Sequence, residues 1–149
     1  MELDSIKSLI SAYEEVSIYT SNKIHEAVEG VLRSHGITYE QMCLLRMIYR
    51  HHGISSIQIS EALDINKSGV SIRVNRLIAK GYVEKQKIDN RSFGLYITAN
   101  GRAILQEGEQ KIHDLVGKWI EEVGEEDSKE FIRIYTKINE TIRKQKVEK

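Results

Sequence analysis

The stretch Leu77 to Gly101 limits the possible folds more than any other part of the chain, because it changes structural period three times in twenty-five residues. A helical pattern from about Asn66 to Lys80 meets Gly81, which accepts the left-handed backbone of a helix C-terminus without a side-chain clash. Tyr82 to Ile88 then alternates, with Tyr82, Gln86 and Ile88 on one face and Lys85 and Lys87 on the other, the pattern of a half-buried strand. Asp89-Asn90-Arg91-Ser92-Phe93-Gly94 is rich in turn formers, and Leu95 to Ile97 is long enough to return as a second strand. Thr98 and Gly101 open another helical pattern. Helix, hairpin and helix follow one another with almost no linker, so the hairpin must stand as a small wing with Arg91 at its tip.

The remainder reads as helix. Leu3, Ile6, Ile10, Tyr13, Val16, Ile24, Ala27, Val28 and Val31 recur at steps of mostly three and four, which predicts an amphipathic helix of roughly thirty residues ending at His35-Gly36. A helix this long needs a partner to cover its apolar stripe. Thr38-Tyr39-Glu40-Gln41 and Ser55-Ser56-Ile57-Gln58 are capping boxes, in which hydroxyl and amide each satisfy an orphan backbone donor. The first starts a helix carrying Met42, Leu45, Ile48 and Tyr49; the second starts a short one with Ile59 and Leu63 inward. Asn66 is the expected N-cap of the next helix. Beyond the hairpin, Ile104, Leu105, Ile112, Leu115, Val116, Trp119 and Ile120 mark a long helix that Gly124 interrupts, and Phe131, Ile134, Tyr135, Ile138 and Ile142 mark a final one. The chain has no proline to break these helices. The predicted fold class is mainly α with a small β wing.

At 149 residues the chain fits a single domain with room for a real core. No run of eighteen apolar residues exists, and Met1-Glu2-Leu3-Asp4-Ser5 has neither a basic start nor an apolar signal core, so the expected location is the cytoplasm with no membrane partner. One cysteine, Cys43, excludes an intramolecular disulfide. The net charge is zero, but it is unevenly distributed. Between Ile65 and Arg102 eight basic residues face two acidic ones, Glu84 and Asp89, for a local net of +6, and the rest of the chain carries −6. A basic segment on a neutral chain is the electrostatic footprint of a protein that grips nucleic acid.

Two short capped helices joined by a tight turn form a helix-turn-helix. With Val70, Val74, Leu77 and Ile78 turned inward, the second helix presents Ser68, Ile72, Asn75, Arg76 and Ala79 outward, with Ser71 and Arg73 on the flanks. A helix fits the major groove, where Arg pairs with guanine, Asn with adenine, and an apolar group such as Ile72 touches the thymine methyl. For a mixed-polarity helix alone, a merely solvated face is the simpler reading; the adjoining basic wing favours DNA.

With these residues in place the chain resembles the MarR family of transcriptional regulators over nearly its whole length. The family's wing signature, Asp-x-Arg followed by a hydrophobic strand and Thr-x-x-Gly, is met by Asp89, Arg91, Leu95, Ile97, Thr98 and Gly101, and Leu77, Gly81, Tyr82 and Val83 match the segment leading into it. The chain departs from the pattern at Asp64, where the turn often has Gly, and at Gly69, where the recognition helix usually has Ser or a β-branched residue. The resemblance implies a winged helix-turn-helix lobe over 37–101 and a helical dimerisation region over 1–34 and 103–149. It further implies a homodimer on a pseudo-palindromic double-stranded DNA, with helix 66–80 in the major groove and wing 82–98 in the minor groove. Two recognition helices would then lie roughly 34 Å apart. The DNA-binding candidates are Lys67, Ser68, Ser71, Ile72, Arg73, Asn75, Arg76, Lys85, Lys87 and Arg91, with Asp89 bracing the wing through an ion pair. Interface candidates are Leu3, Ile6, Ile10, Ile134, Tyr135, Ile138 and Ile142.

Repression is the expected sign, since a dimer covering a promoter blocks polymerase. In the family, small molecules bind between the dimer helices and the DNA-binding lobe. Tyr13, Tyr19, Tyr39, Met42, Met47 and Trp119 are the candidates for such an effector pocket, although aromatic and Met residues at helical spacing more often form plain core. Three other readings stand beside this one. The first is a winged helix used for protein docking. The second is a thiol-responsive regulator using Cys43, which instead reads as a buried, inert thiol. The third is a metal-responsive regulator using His51 and His52, whose side chains diverge on a helix and have no Cys or carboxylate at ligand spacing. No glycine-rich phosphate loop, nucleophile motif or paired carboxylates stand out, so neither catalysis, cofactor nor metal is expected.

Overall fold

A computed structural model describes residues 1–147; Glu148 and Lys149, the end of the region 103–149 expected to be helical, lie outside the described residues. Six α-helices and one hairpin are described: α1 (Leu3–Leu32), α2 (Tyr39–Arg50), α3 (Ser56–Leu63), α4 (Lys67–Ala79), β1 (Val83–Lys87), β2 (Phe93–Ile97), α5 (Ala99–Val123) and α6 (Glu125–Val147). The boundaries fall where local chemistry places them. Both capping boxes form: Gln41 N–H donates to Thr38 Oγ1 and Thr38 N–H to Gln41 Oε1, and Ser55 and Gln58 repeat the exchange. Asn66 Oδ1 accepts from Gly69 N–H at 2.7 Å at the start of α4. Asp64 takes the left-handed conformation, φ 54°, and ends α3; its short polar side chain makes the absence of Gly there harmless.

The end of α4 is a Schellman motif. Gly81 has φ +79°, its N–H donates to Ile78 O at 2.9 Å, and Tyr82 N–H donates to Leu77 O at 3.0 Å. The chain thereby reverses directly into β1, which pairs antiparallel with β2 in the register Val83↔Ile97, Lys85↔Leu95 and Lys87↔Phe93. Ile54 adds one further bridge to Leu95.

The face of β1 differs from the sequence expectation. Val83 is the buried residue, while Gln86 and Ile88 are exposed and Tyr82 is half-buried. Val83 therefore shares its face with Lys85 and Lys87. Alternation alone did not identify the inward face because only the hairpin base, Val83 with Leu95 and Ile97, meets the core; farther out both faces of β1 meet water.

By their backbone contacts the residues divide into two compact units, Met1–Ile112 and His113–Lys149, with α5 contributing to both. The core of the first unit joins Val28 and Leu32 of α1, Met42, Leu44, Leu45 and Ile48 of α2, Ile59 of α3, Val70, Val74 and Leu77 of α4, the hairpin base and Leu105 of α5. Leu63, expected inward on α3, is 43% exposed.

Where α5 begins, Thr98 Oγ1 donates to Gly81 O at 2.6 Å and accepts from Gly101 N–H at 3.0 Å, and Thr98 N–H donates to Tyr82 O at 3.0 Å. Gly101 is buried so tightly that a Cβ there would stand 2.1 Å from Tyr82 O, a backbone atom that has no rotamer to yield with. Gly101→Ala is accordingly expected to cost stability at the upper end of, or beyond, the roughly 1–3 kcal/mol typical of overpacking, measured as a drop in chemical-denaturation midpoint.

Candidate nucleic-acid interface

α4 turns Val70, Val74 and Leu77 into the core and leaves Lys67, Ser68, Ser71, Ile72, Asn75 and Arg76 exposed. Ile72 is 55% exposed, an apolar side chain at a position that the helical phase turns away from the core. On the wing, Lys85, Lys87 and Arg91 are exposed, with Lys85 Nζ 5.2 Å from the centre of the Phe93 ring in a cation–π contact.

Asp89 organises the turn. Its Oδ1 accepts from Arg91 N–H at 2.8 Å and from Ser92 N–H at 2.9 Å, while Ile88 N–H donates to Ser92 O at 3.0 Å. The bracing expected of Asp89 is therefore made to backbone amides, and no ion pair to it occurs among the described residues. This frees the Arg91 guanidinium from its own turn. The same two amides, with the Ser92 side chain, hold the Asp89 carboxyl below its ordinary pKa.

The eight cations of the basic segment have different partners. Arg73 Nε is paired with Glu40 Oε1 of α2, and Lys80 Nζ donates to Gly36 O at 2.8 Å and Gln41 Oε1 at 3.1 Å. Among the described residues Lys67, Arg76, Lys85, Lys87, Arg91 and Arg102 enter no ion pair. A surface of unpaired cations with few carboxylates attracts polyanions, and a helix flanked by a hairpin offers complementary shapes to two grooves.

Behind α4, within the first unit, lies a cavity of about 800 Å³. Leu44, Met47, Ile59, Leu63, Ile65 and Val70 form its apolar floor, and His25, Glu29, Glu40, Arg73 and Arg76 its charged rim. Of the six residues expected to line an effector pocket, Tyr39 and Met47 line this cavity. Met42 is fully buried in the core, Tyr13 and Tyr19 are 65% and 67% exposed on α1, and Trp119 belongs to the second unit. Composition and spacing could not separate these, since cavity walls and core use the same residue types. Cys43, expected to be buried and inert, is half-buried and lines this cavity beside Tyr39. The neighbouring Cys43 sulfur, reinforced by burial, raises the Tyr39 phenol above its ordinary pKa. Among the described residues no three His, Cys, Asp or Glu side chains gather as a metal site, and no helix is long and apolar enough to cross a membrane.

Helix-turn-helix, recognition-helix reversal and hairpin together make this a winged helix-turn-helix protein. Residues 35–90 match the sequence profile of the MarR family. An uncharacterised HTH-type transcriptional regulator of Bacillus subtilis, YdgG, is 28% identical over 131 residues, covering 85% of this chain and 86% of that protein. The fold is shared with the Staphylococcus aureus MarR bound to salicylate and kanamycin, at TM-score 0.82, 20% identity and coverage of 94% and 96% of the two chains. It is shared as well with the S. aureus MepR–DNA complex, at TM-score 0.77, 20% identity and coverage of 87% and 97%. The chain is thus similar to the MarR family of transcription regulators in sequence over residues 35–90 and shares the fold of its solved members.

The wing geometry carries a pH signature. Because the folded Asp89 pKa is depressed, the contribution of its carboxylate to turn order is present above the pKa of a free aspartate, about 3.9, and is lost as pH falls through the lower folded value. Amide proton shifts of Arg91 and Ser92 in an NMR titration are expected to report a midpoint below that of a free aspartate, and a midpoint at or above it would show that the turn does not favour the charged form.

Proposed function

We propose that the protein is a homodimeric repressor that binds a pseudo-palindromic site in double-stranded DNA, and that a small-molecule effector held in the cavity behind α4 modulates it. The observation that carries this reading is the set of unpaired cations on α4 and the wing, two elements that the Schellman turn joins without a linker. In the proposed complex α4 enters the major groove. Asn75 and Arg76 address base edges, Ile72 a thymine methyl, and Lys67, Ser68 and Ser71 the backbone or adjoining bases. The wing enters the minor groove with Arg91 foremost, Lys85 and Lys87 approach phosphates, and Asp89 holds the turn. That MepR and a mutant MarR from E. coli form complexes with DNA, and that the S. aureus MarR binds salicylate, supports the same two activities here.

Unsatisfied apolar surface supports the dimer. Leu3, Ile10, Tyr13, Val16 and Tyr19 on α1 are more than half exposed, as are Phe131, Tyr135 and Ile142 on α6, and Ile6, Ile134 and Ile138 are exposed too. Apolar exposure on this scale marks an interaction surface, and a second copy is the partner that a palindrome requires. A dimer seated on a promoter blocks polymerase, so repression is the sign we assign. Residence in the cytoplasm, where the chromosome is reached directly, belongs to the same proposal.

In a salt titration, Arg91→Ala is expected to weaken binding to a selected site and to a random duplex by similar factors and to flatten the slope of log K against log salt. Full retention of affinity would remove the wing from the interface. Ile138→Asp is expected to yield a monomer in analytical ultracentrifugation with unchanged helix content, and an undiminished dimer would place the interface elsewhere.

A further inference from the structure

Arg73 and Lys80 lie seven residues apart on one flank of α4, and both attach to the entry of α2. Glu40 takes the Arg73 guanidinium; Gly36 O and Gln41 Oε1 take the Lys80 ammonium. Gln41 Oε1 at the same time accepts from Thr38 N–H in the capping box, so the cap of α2 and the grip on α4 share one atom. Gly69, four residues before Arg73 and the departure from the family pattern, has a structural consequence here. A Cβ at Gly69 would stand 3.1 Å from both Arg73 Nη1 and Asn66 Oδ1, so the bare glycine spares the guanidinium beside Glu40 and the cap of α4 a tight contact.

An arginine held by a carboxylate contributes little to a phosphate contact, since its charge is already compensated and the pair must first be broken. Phosphate contacts add affinity for every sequence alike, whereas base contacts depend on how the helix is seated. A contact that both removes a cation from the phosphate-binding set and fixes the helix therefore lowers random binding and keeps the base-reading face in register.

We infer that Glu40 is a specificity-determining positioning residue: through Arg73, and alongside the Lys80 contacts, it seats α4 against the entry of α2 and keeps Arg73 off the DNA backbone. This rests on the DNA-binding reading proposed above. The pair is exposed enough that Glu40 acts by selecting where the arginine points rather than by stabilising the fold.

The test compares wild type, Glu40→Gln, Arg73→Gln and the double variant in salt titrations on a random duplex and on a site that the wild type selects from a random pool. Glu40→Gln is expected to tighten random-duplex binding and to steepen the log–log salt slope by about 0.9 per arginine released, while the preference for the selected site falls. Arg73→Gln is expected to keep the wild-type slope but lose preference, and the double variant to lack the steepening, because the gain requires Arg73. A Glu40→Gln slope equal to wild type overturns the inference, as does an Arg73→Gln slope flattened as much as that of Arg91→Ala, which would make Arg73 a direct phosphate ligand. Wild type that binds neither duplex at low salt would instead overturn the DNA-binding reading and this inference with it.

Discussion

Three chain segments meet at the carbonyls of Gly81 and Tyr82, and the arrangement of α4, the wing and α5 depends on that meeting. The Thr98 hydroxyl reaches the first carbonyl, the Thr98 amide reaches the second, and the bare Cα of Gly101 lets the helix start pass against the second as well. A Thr and a Gly three residues apart thus serve one purpose: one supplies hydrogen bonds, the other the absence of a side chain. Because both carbonyls are held by Thr98 and backbone atoms have no freedom to move aside, the joint fixes the hairpin to the end of α4. Together with the Ile54–Leu95 bridge and the buried Val83, Leu95 and Ile97, it ties down a two-stranded ribbon that would be marginal in water by itself.

Electrostatics then determines what this rigid joint can present. The chain as a whole is neutral, so long-range attraction to a polyanion has to come from local imbalance. The structure preserves that imbalance by satisfying acids with backbone amides and spending only some of the cations internally. Asp89 accepts two amides of its own turn and leaves Arg91 unneutralised, although the two residues are neighbours of opposite charge. Glu40 is used differently, drawing an arginine toward α2 from a helix thirty-three residues away. The two carboxylates thus have opposite effects on the basic face: one exposes a cation, the other withdraws one.

The cavity behind α4 links this face to the rest of the first unit. Arg73 and Arg76 stand on its rim with Glu40, while Ile59, Ile65 and Val70 of its floor belong to the helix-turn-helix itself. A molecule entering there would touch α4 through Val70, Arg73 and Arg76. That is the physical basis on which occupancy could bias how the helix is seated, provided the ligand binds the two seatings with different affinity.

The residues alone were enough to locate every element whose limits are set within a few positions. The two capping boxes, the Asn66 cap, the left-handed Asp64 and the glycine stop at Gly81 all act within a local stretch of chain, none reaching farther than from Leu77 to Tyr82, and each formed as its chemistry requires. The wing signature was legible for the same reason, since turn, strand and cap lie contiguous in the chain. Tertiary structure decided what depends on distant neighbours: that Val83 rather than Tyr82 faces the core, that Met47 lines a cavity while Met42 is sealed in the core, and that Arg73 meets Glu40. Local sequence carries a residue's backbone preference and its polarity, but whether a cation is free or a methionine borders empty space depends on groups brought near by folding, and no spacing along one helix records them.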